Sequence, residues 1–116
     1  MKKLPLHVKA TTQGPVMVLK PTGWLSADTR EKLESAMITA ADGGCSRFVM
    51  DLSSSHISDQ GGLALFPFWH RRLADMGGCL VLASPSGSVL RALKTGRLDK
   101  YIPVCDSLAE AVELAK

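Results

Sequence analysis

Two runs of consecutive apolar residues constrain this chain more than any other feature: Phe48-Val49-Met50, within a strand-like stretch 47–52, and Cys79-Leu80-Val81-Leu82-Ala83. A strand that is apolar on both faces needs cover on both faces, which is the usual condition inside a parallel sheet. Between the runs, Leu63, Phe66, Trp69 and Leu73 recur every three or four residues. That spacing predicts one helix from about Gln60 to Met76. Pro67 is expected to kink it by removing a hydrogen bond, and Gly77-Gly78 to end it. Strand, helix and strand in that order make a βαβ unit with a right-handed crossover.

The flanking segments extend the alternation. Leu6 to Thr11 and Pro15 to Thr22 read as strands joined by a hairpin turn at Gln13-Gly14. Ser26 reads as an N-cap, with Asp28 in the first turn of a helix that carries Leu33, Met37 and Ala40 on one face and stops at Gly43-Gly44. Ser84-Pro85 reads as an N-cap and first-turn proline, with Gly96 closing that helix. Tyr101 to Val104 reads as a short strand. Ser107 and Glu110 form a capping box for a last helix ending at Lys116. The expected architecture is α/β: a single domain over 1–116 with a mixed, mostly parallel sheet of four to five strands, an N-terminal hairpin and about four helices.

Composition removes several classes of function. Of the 116 residues, 46% are hydrophobic, enough for an ordinary core rather than a disordered tail or a disulfide-dense miniature. No apolar run approaches the ~20 residues that cross a bilayer. The basic N-terminus, MKKLPLHVK, lacks the apolar core of a signal peptide, so a cytoplasmic protein without membrane insertion is expected. The net charge of +3 reads as small and spread along the chain, giving no case for nucleic acid. Its one basic series, Arg91, Lys94, Arg97 and Lys100, reads as the solvated side of a helix end. Cys45, Cys79 and Cys105 form no CxxC pair and do not cluster with His7, His56 or His70, so reduced, partly buried thiols are expected rather than zinc or disulfides.

Catalytic readings fail in turn. Lys94-Thr95-Gly96 matches a KTG triplet, but no SxxK accompanies it, and Gly96 serves as a helix stop. Phosphate-binding and dinucleotide-binding glycine patterns are absent, as is a nucleophile elbow. His56, Ser58 and Asp59 lie too close in sequence to take up triad geometry, and Asp59 reads as a helix cap. Asp51 at a strand end resembles the phosphoacceptor of a receiver domain, but the acidic pair that would hold magnesium is missing. No catalytic residue, metal or cofactor is assigned. Phe66, Phe68 and Trp69 cannot all point inward from one helix, so at least one is expected at the surface, where aromatic side chains favour protein contact.

The joint Ser58-Asp59-Gln60-Gly61-Gly62 is the most unusual segment. Two glycines at a helix mouth cost up to ~1 kcal/mol each relative to alanine, and they admit close approach by another backbone or a ligand. Together with this joint, Gly23-x-Leu25, Val49-Met50-Asp51-Leu52, Gly77-Gly78-Cys79-Leu80-Val81-Leu82 and Thr95-Gly96-Arg97-Leu98-Asp99 stand in order and at the right spacing, and the chain resembles a STAS domain over nearly its whole length. The resemblance implies a small α/β module that binds proteins. In the anti-sigma-factor antagonists of that family the partner is an anti-sigma kinase, and the switch is phosphorylation of the first serine of D-S-S-G. Here Gln60 occupies that position and Gly61 the next, while Ser26 replaces the aspartate of the G-x-L-D turn. Gln60 cannot be phosphorylated. Ser58 is the one candidate for a displaced acceptor, although serines in such loops mostly make local hydrogen bonds.

The leading expectation is a non-catalytic regulatory module whose partner, an anti-sigma factor or kinase-like regulator, contacts Ser58, Asp59, Gln60, Gly61 and Gly62. Gly61→Arg is expected to abolish that contact without unfolding the domain. The alternative is a subunit docking on the ATPase of a membrane lipid transporter, which needs no phosphoserine. A homodimer is compatible with either.

Overall fold

A computed structural model describes residues 6–116; the basic N-terminal stretch up to residue 5 lies outside them. Strands β1 (His7–Gln13) and β2 (Val16–Leu25) form an antiparallel hairpin in which Gln13 pairs with Val16. The turn is Gly14-Pro15, one residue later than the expected Gln13-Gly14. Gly14 takes φ 61, which the first position of a primed turn requires, and proline fixes a negative φ at the second.

The ten residues of β2 serve two further neighbours. Met17–Leu19 pair in parallel with β3 (Arg47–Asp51), and Gly23–Leu25 pair in parallel with β4 (Ser55–Ile57). β3 pairs along its full length with β5 (Cys79–Ala83), which pairs with β6 (Val104–Cys105). The sheet therefore runs β1-β2-β3-β5-β6, with β4 beside the far half of β2. It is mixed and mostly parallel, as expected, with the short β4 added.

The period-2 alternation of the buried strands separates two apolar layers. Leu19, Phe48, Met50, Leu80 and Leu82 pack with α1 (Arg30–Asp42), α2 (Leu65–Asp75) and α3 (Gly87–Thr95). Val16, Val18, Val49, Val81 and Ala83 pack with the small residues Ala111, Val112 and Ala115 of α4 (Leu108–Ala115). Large side chains thus face the side with three helices, and small ones face the single eight-residue helix. The Ser107 hydroxyl accepts the Glu110 N–H at 3.2 Å, so the expected α4 cap forms.

Four local expectations are corrected. The helix expected over 60–76 is a 3-10 turn, Gln60–Leu63, followed by α2 from Leu65. Pro67 then falls in the first turn of α2, where its missing N–H has no intrahelical partner to lose, so no kink is needed. Ser84 does not cap α3. It sits at φ 49 and its hydroxyl donates to the Asp106 carbonyl, while α3 begins after Ser86, whose hydroxyl donates to the Ser55 carbonyl. The strand expected at Tyr101–Val104 is Val104–Cys105, preceded by a 3-10 turn at Leu98–Lys100. Ser26 acts one turn before the regular part of α1: its hydroxyl accepts the N–H groups of Asp28 and Thr29, and its carbonyl accepts that of Arg30.

Candidate functional site

β2 and β4 end side by side, with Leu25 paired to Ile57. Two loops leave from there. Ala27 to Thr29 lead into α1, and Ser58-Asp59 lead into the 3-10 turn. The loops are bonded to each other. The Ser58 N–H and hydroxyl both donate to the Leu25 carbonyl, at 3.0 and 3.2 Å. The Asp59 carboxylate accepts the Ala27 N–H at 3.0 Å, and Arg30 Nη1 donates to the Gly61 carbonyl at 3.0 Å. Thr29 locks the first loop by donating its hydroxyl to the Trp24 carbonyl at 2.6 Å.

These bonds hold the two segments so close that side chains do not fit between them. A Cβ on Gly62 would lie 2.6 Å from the Leu25 carbonyl carbon and 2.7 Å from Ser26 N. On Gly61 it would lie 2.7 Å from Ala27 Cβ and 2.8 Å from the Asp59 carboxylate. The backbone that the two glycines admit is therefore this chain's own. Any side chain at position 61 would be driven into the Ala27 loop, so Gly61→Arg cannot separate lost docking from a displaced loop.

The five residues singled out from the sequence do come together, but they are not equally accessible. Ser58, Asp59 and Gln60 are exposed, Gly61 is half-buried and Gly62 is buried. Gln60 Nε2 lies 3.4 Å from the position a Cβ on Gly96 would occupy, so the end of α3 borders the joint. His56, Ser58 and Asp59 share no hydrogen bond among themselves: the serine is tied to Leu25, the aspartate to Ala27, and the His56 ring packs on Trp24. Asp51 is buried at the end of β3, where its carboxylate accepts the Ser53 N–H at 3.1 Å. No group of three or more His, Cys, Asp or Glu among the described residues could hold a metal.

Two features of the surroundings add to the joint. Trp24 and His56 face each other across β2 and β4, ring centroids 5.2 Å apart, with Trp24 39% exposed at the rim of the joint. No local pattern pairs Trp24 with His56, because the contact depends on β4. The charge is also less evenly spread than it reads in sequence. Residues 60–103 hold six Lys or Arg against two Asp, leaving eight against nine in the rest of the chain. Phe68, at 57%, is the exposed member of the α2 aromatic trio; Phe66 and Trp69 are buried. The three cysteines are free and partly buried, and the Cys105 thiol is pushed up from its ordinary pKa by burial and then by Glu110 and Asp106. No helix among the described residues is long and apolar enough to cross a membrane.

Comparison with curated proteins finds no match. Among solved structures, a Thermotoga maritima protein provisionally named an anti-sigma factor antagonist superposes with a TM-score of 0.85 at 22% identity, covering 93% of each chain. An anti-sigma factor antagonist from Mycobacterium paratuberculosis gives 0.84 at 19% identity, covering 95% of this chain and 93% of its own. The anti-sigma factor antagonist SpoIIAA in its unphosphorylated form gives 0.74 at 18% identity, covering 93% of each. At these identities the likeness establishes the fold. The sequence profile of the STAS domain family matches residues 7–111, nearly the whole chain, and the protein belongs to that family.

Proposed function

We propose that this chain is a non-catalytic, cytoplasmic regulatory module that binds a protein partner through the surface around Gln60, in the manner of the anti-sigma-factor antagonists its fold resembles. One observation carries the reading. The polar groups at the joint are spent on holding the joint together, while Gln60 is presented at the surface between the Ala27 loop and the end of α3. A rigid surface with no nucleophile paired to a base suits recognition rather than turnover. Gln60 stands at the phosphoacceptor-equivalent position, so docking there is constitutive with respect to that position. The Ser58 hydroxyl donates to the Leu25 carbonyl, so a phosphate at Ser58 would break a bond that holds the joint. The contact set is Ser58, Asp59 and Gln60 with the Trp24 rim. Gly61 and Gly62 act by setting its shape.

The test is a tagged pull-down from the native host, with the bound proteins and the bait's own mass read by mass spectrometry. An anti-sigma factor or kinase-like regulator, captured by the wild type and lost with Gln60→Asp, is the expected result. Gln60 is exposed, so this variant keeps the fold while placing a negative charge where the family places a phosphate. Undiminished capture by Gln60→Asp would remove this surface. A transporter ATPase captured with an unmodified bait would replace the regulatory partner with a membrane machine, and a bait heavier by one phosphate at Ser58 would show a displaced switch.

A further inference from the structure

The outer face of α2 is a second surface, separate from the Gln60 joint. Three large apolar side chains stand out on this side of the molecule: Phe68 at 57% exposure, Met76 at 50% and Tyr101 at 66%. Two grooves of about 480 and 440 Å³ flank a ridge made by Arg71 and Asp75, which line both. Phe68, Arg72 and Met76 complete the first groove. Pro67, His70, Ala74 and the turn residues Tyr101 and Ile102 complete the second. Arg71 and Arg72 are exposed and make no ion pair among the described residues. The Arg72 guanidinium is held 5.3 Å over the Trp69 ring, which fixes its direction. His70 Nδ1, on the wall of the second groove, is buried with no hydrogen-bond partner.

We propose that this face docks an acidic amphipathic segment of a partner protein. The occupant follows from charge complementarity. The lining of the two grooves carries two arginines, Arg71 and Arg72, against one carboxylate, Asp75. Apolar grooves beside unpaired guanidinium groups fit a segment with large apolar residues on one side and carboxylates beside them, in the helix-in-groove mode. An anionic membrane would meet the same arginines, but its surface carries no apolar ridge shaped to fill two separate grooves. A second copy could present α1, with Glu31, Glu34 and exposed Ile38, or α4, with Glu110, Glu113 and exposed Leu114, so self-association is one outcome the test must separate. Gln60 lines neither groove.

The experiment is fluorescence anisotropy of the full chain with a labelled helical probe of about fifteen residues, roughly four turns. The probe carries Leu and Phe on one face and Glu on the other; a matched probe carries Lys in place of Glu. Binding of the Glu probe alone, weakening with added salt and falling by at least about ten-fold in R71E/R72E, is expected. Gln60→Asp should leave it unchanged. Thermal melts check folding, and R71E alone serves if loss of the Arg72–Trp69 contact lowers stability. Absent binding, equal binding of the two probes or undiminished binding by the arginine variants would overturn the proposal. So would phosphatidylglycerol vesicles or concentration-dependent self-association showing the arginine dependence in place of the Glu probe.

Discussion

Gly62→Ala tests whether the paired glycines exist for this chain or for a partner. The added Cβ would sit 2.6 and 2.7 Å from the Leu25 carbonyl carbon and oxygen and 2.7 Å from Ser26 N, all backbone atoms at the end of β2. No rotamer relieves this, because nothing flexible is in the way. Restoring an ordinary contact of 3.4 Å needs the two segments to part by about 0.8 Å. The same displacement would carry the Ser58 N–H···O Leu25 bond, now 3.0 Å, out of hydrogen-bonding range. Strain of about 2 kcal/mol plus a lost bond worth about 1 kcal/mol gives about 3 kcal/mol. For a chain of 116 residues that lowers the melting temperature by about 12 °C. The assay is urea and thermal unfolding followed by circular dichroism, with Gly87→Ala as the control. Gly87 has no atom within 4 Å of its would-be Cβ, so alanine there should be neutral or stabilising by about 0.5 kcal/mol. A Gly62→Ala protein within about 0.5 kcal/mol of wild type would refute the reasoning and return the glycine to the partner.

Ser55→Ala should cost about 1–3 kcal/mol in the same unfolding assay, because the fully buried Ser55 hydroxyl donates to the Pro21 carbonyl at 2.7 Å and ties β4 to β2; a neutral result would remove that tie. The Cys105 thiol, pushed up by burial, Glu110 and Asp106, should be alkylated by iodoacetamide at pH 8 more slowly than a model thiol. Glu110→Gln removes one of the charges that oppose the thiolate, so it should speed that reaction, and intact-mass kinetics read the change. Trp24→Ala should weaken capture of the partner that Gln60 recognises while leaving the melting temperature within a few degrees, since the ring is 39% exposed; strong destabilisation would make Trp24 a folding residue instead.

The parts legible in the sequence were those written locally. The runs Phe48–Met50 and Cys79–Ala83 demanded cover on both faces, and the structure buries them between α1–α3 and α4. The spacing of Leu63, Phe66, Trp69 and Leu73 marked the buried side of α2, and Ser107 with Glu110 marked the start of α4. Gln60, Asp59 and the two glycines were recognisable as an unusual joint by residue type alone. What tertiary structure decided depends on partners far away in sequence. Three residues, Ser55–Ile57, are too few to show an alternation, and they become β4 only because the far half of β2 offers free hydrogen-bonding groups beyond β3. The helix mouth breaks at Ala64 because its first turn is held by Ala27 and Arg30, some thirty residues earlier. The role of Gly62 is set by the Leu25 carbonyl, which no local pattern reveals. The sequence determined that a close approach occurs at this joint; packing determined that the approaching backbone is the chain's own, because the bonds from Ser58 to Leu25, Ala27 to Asp59 and Arg30 to Gly61 tie together the two loops that leave the paired strands β2 and β4.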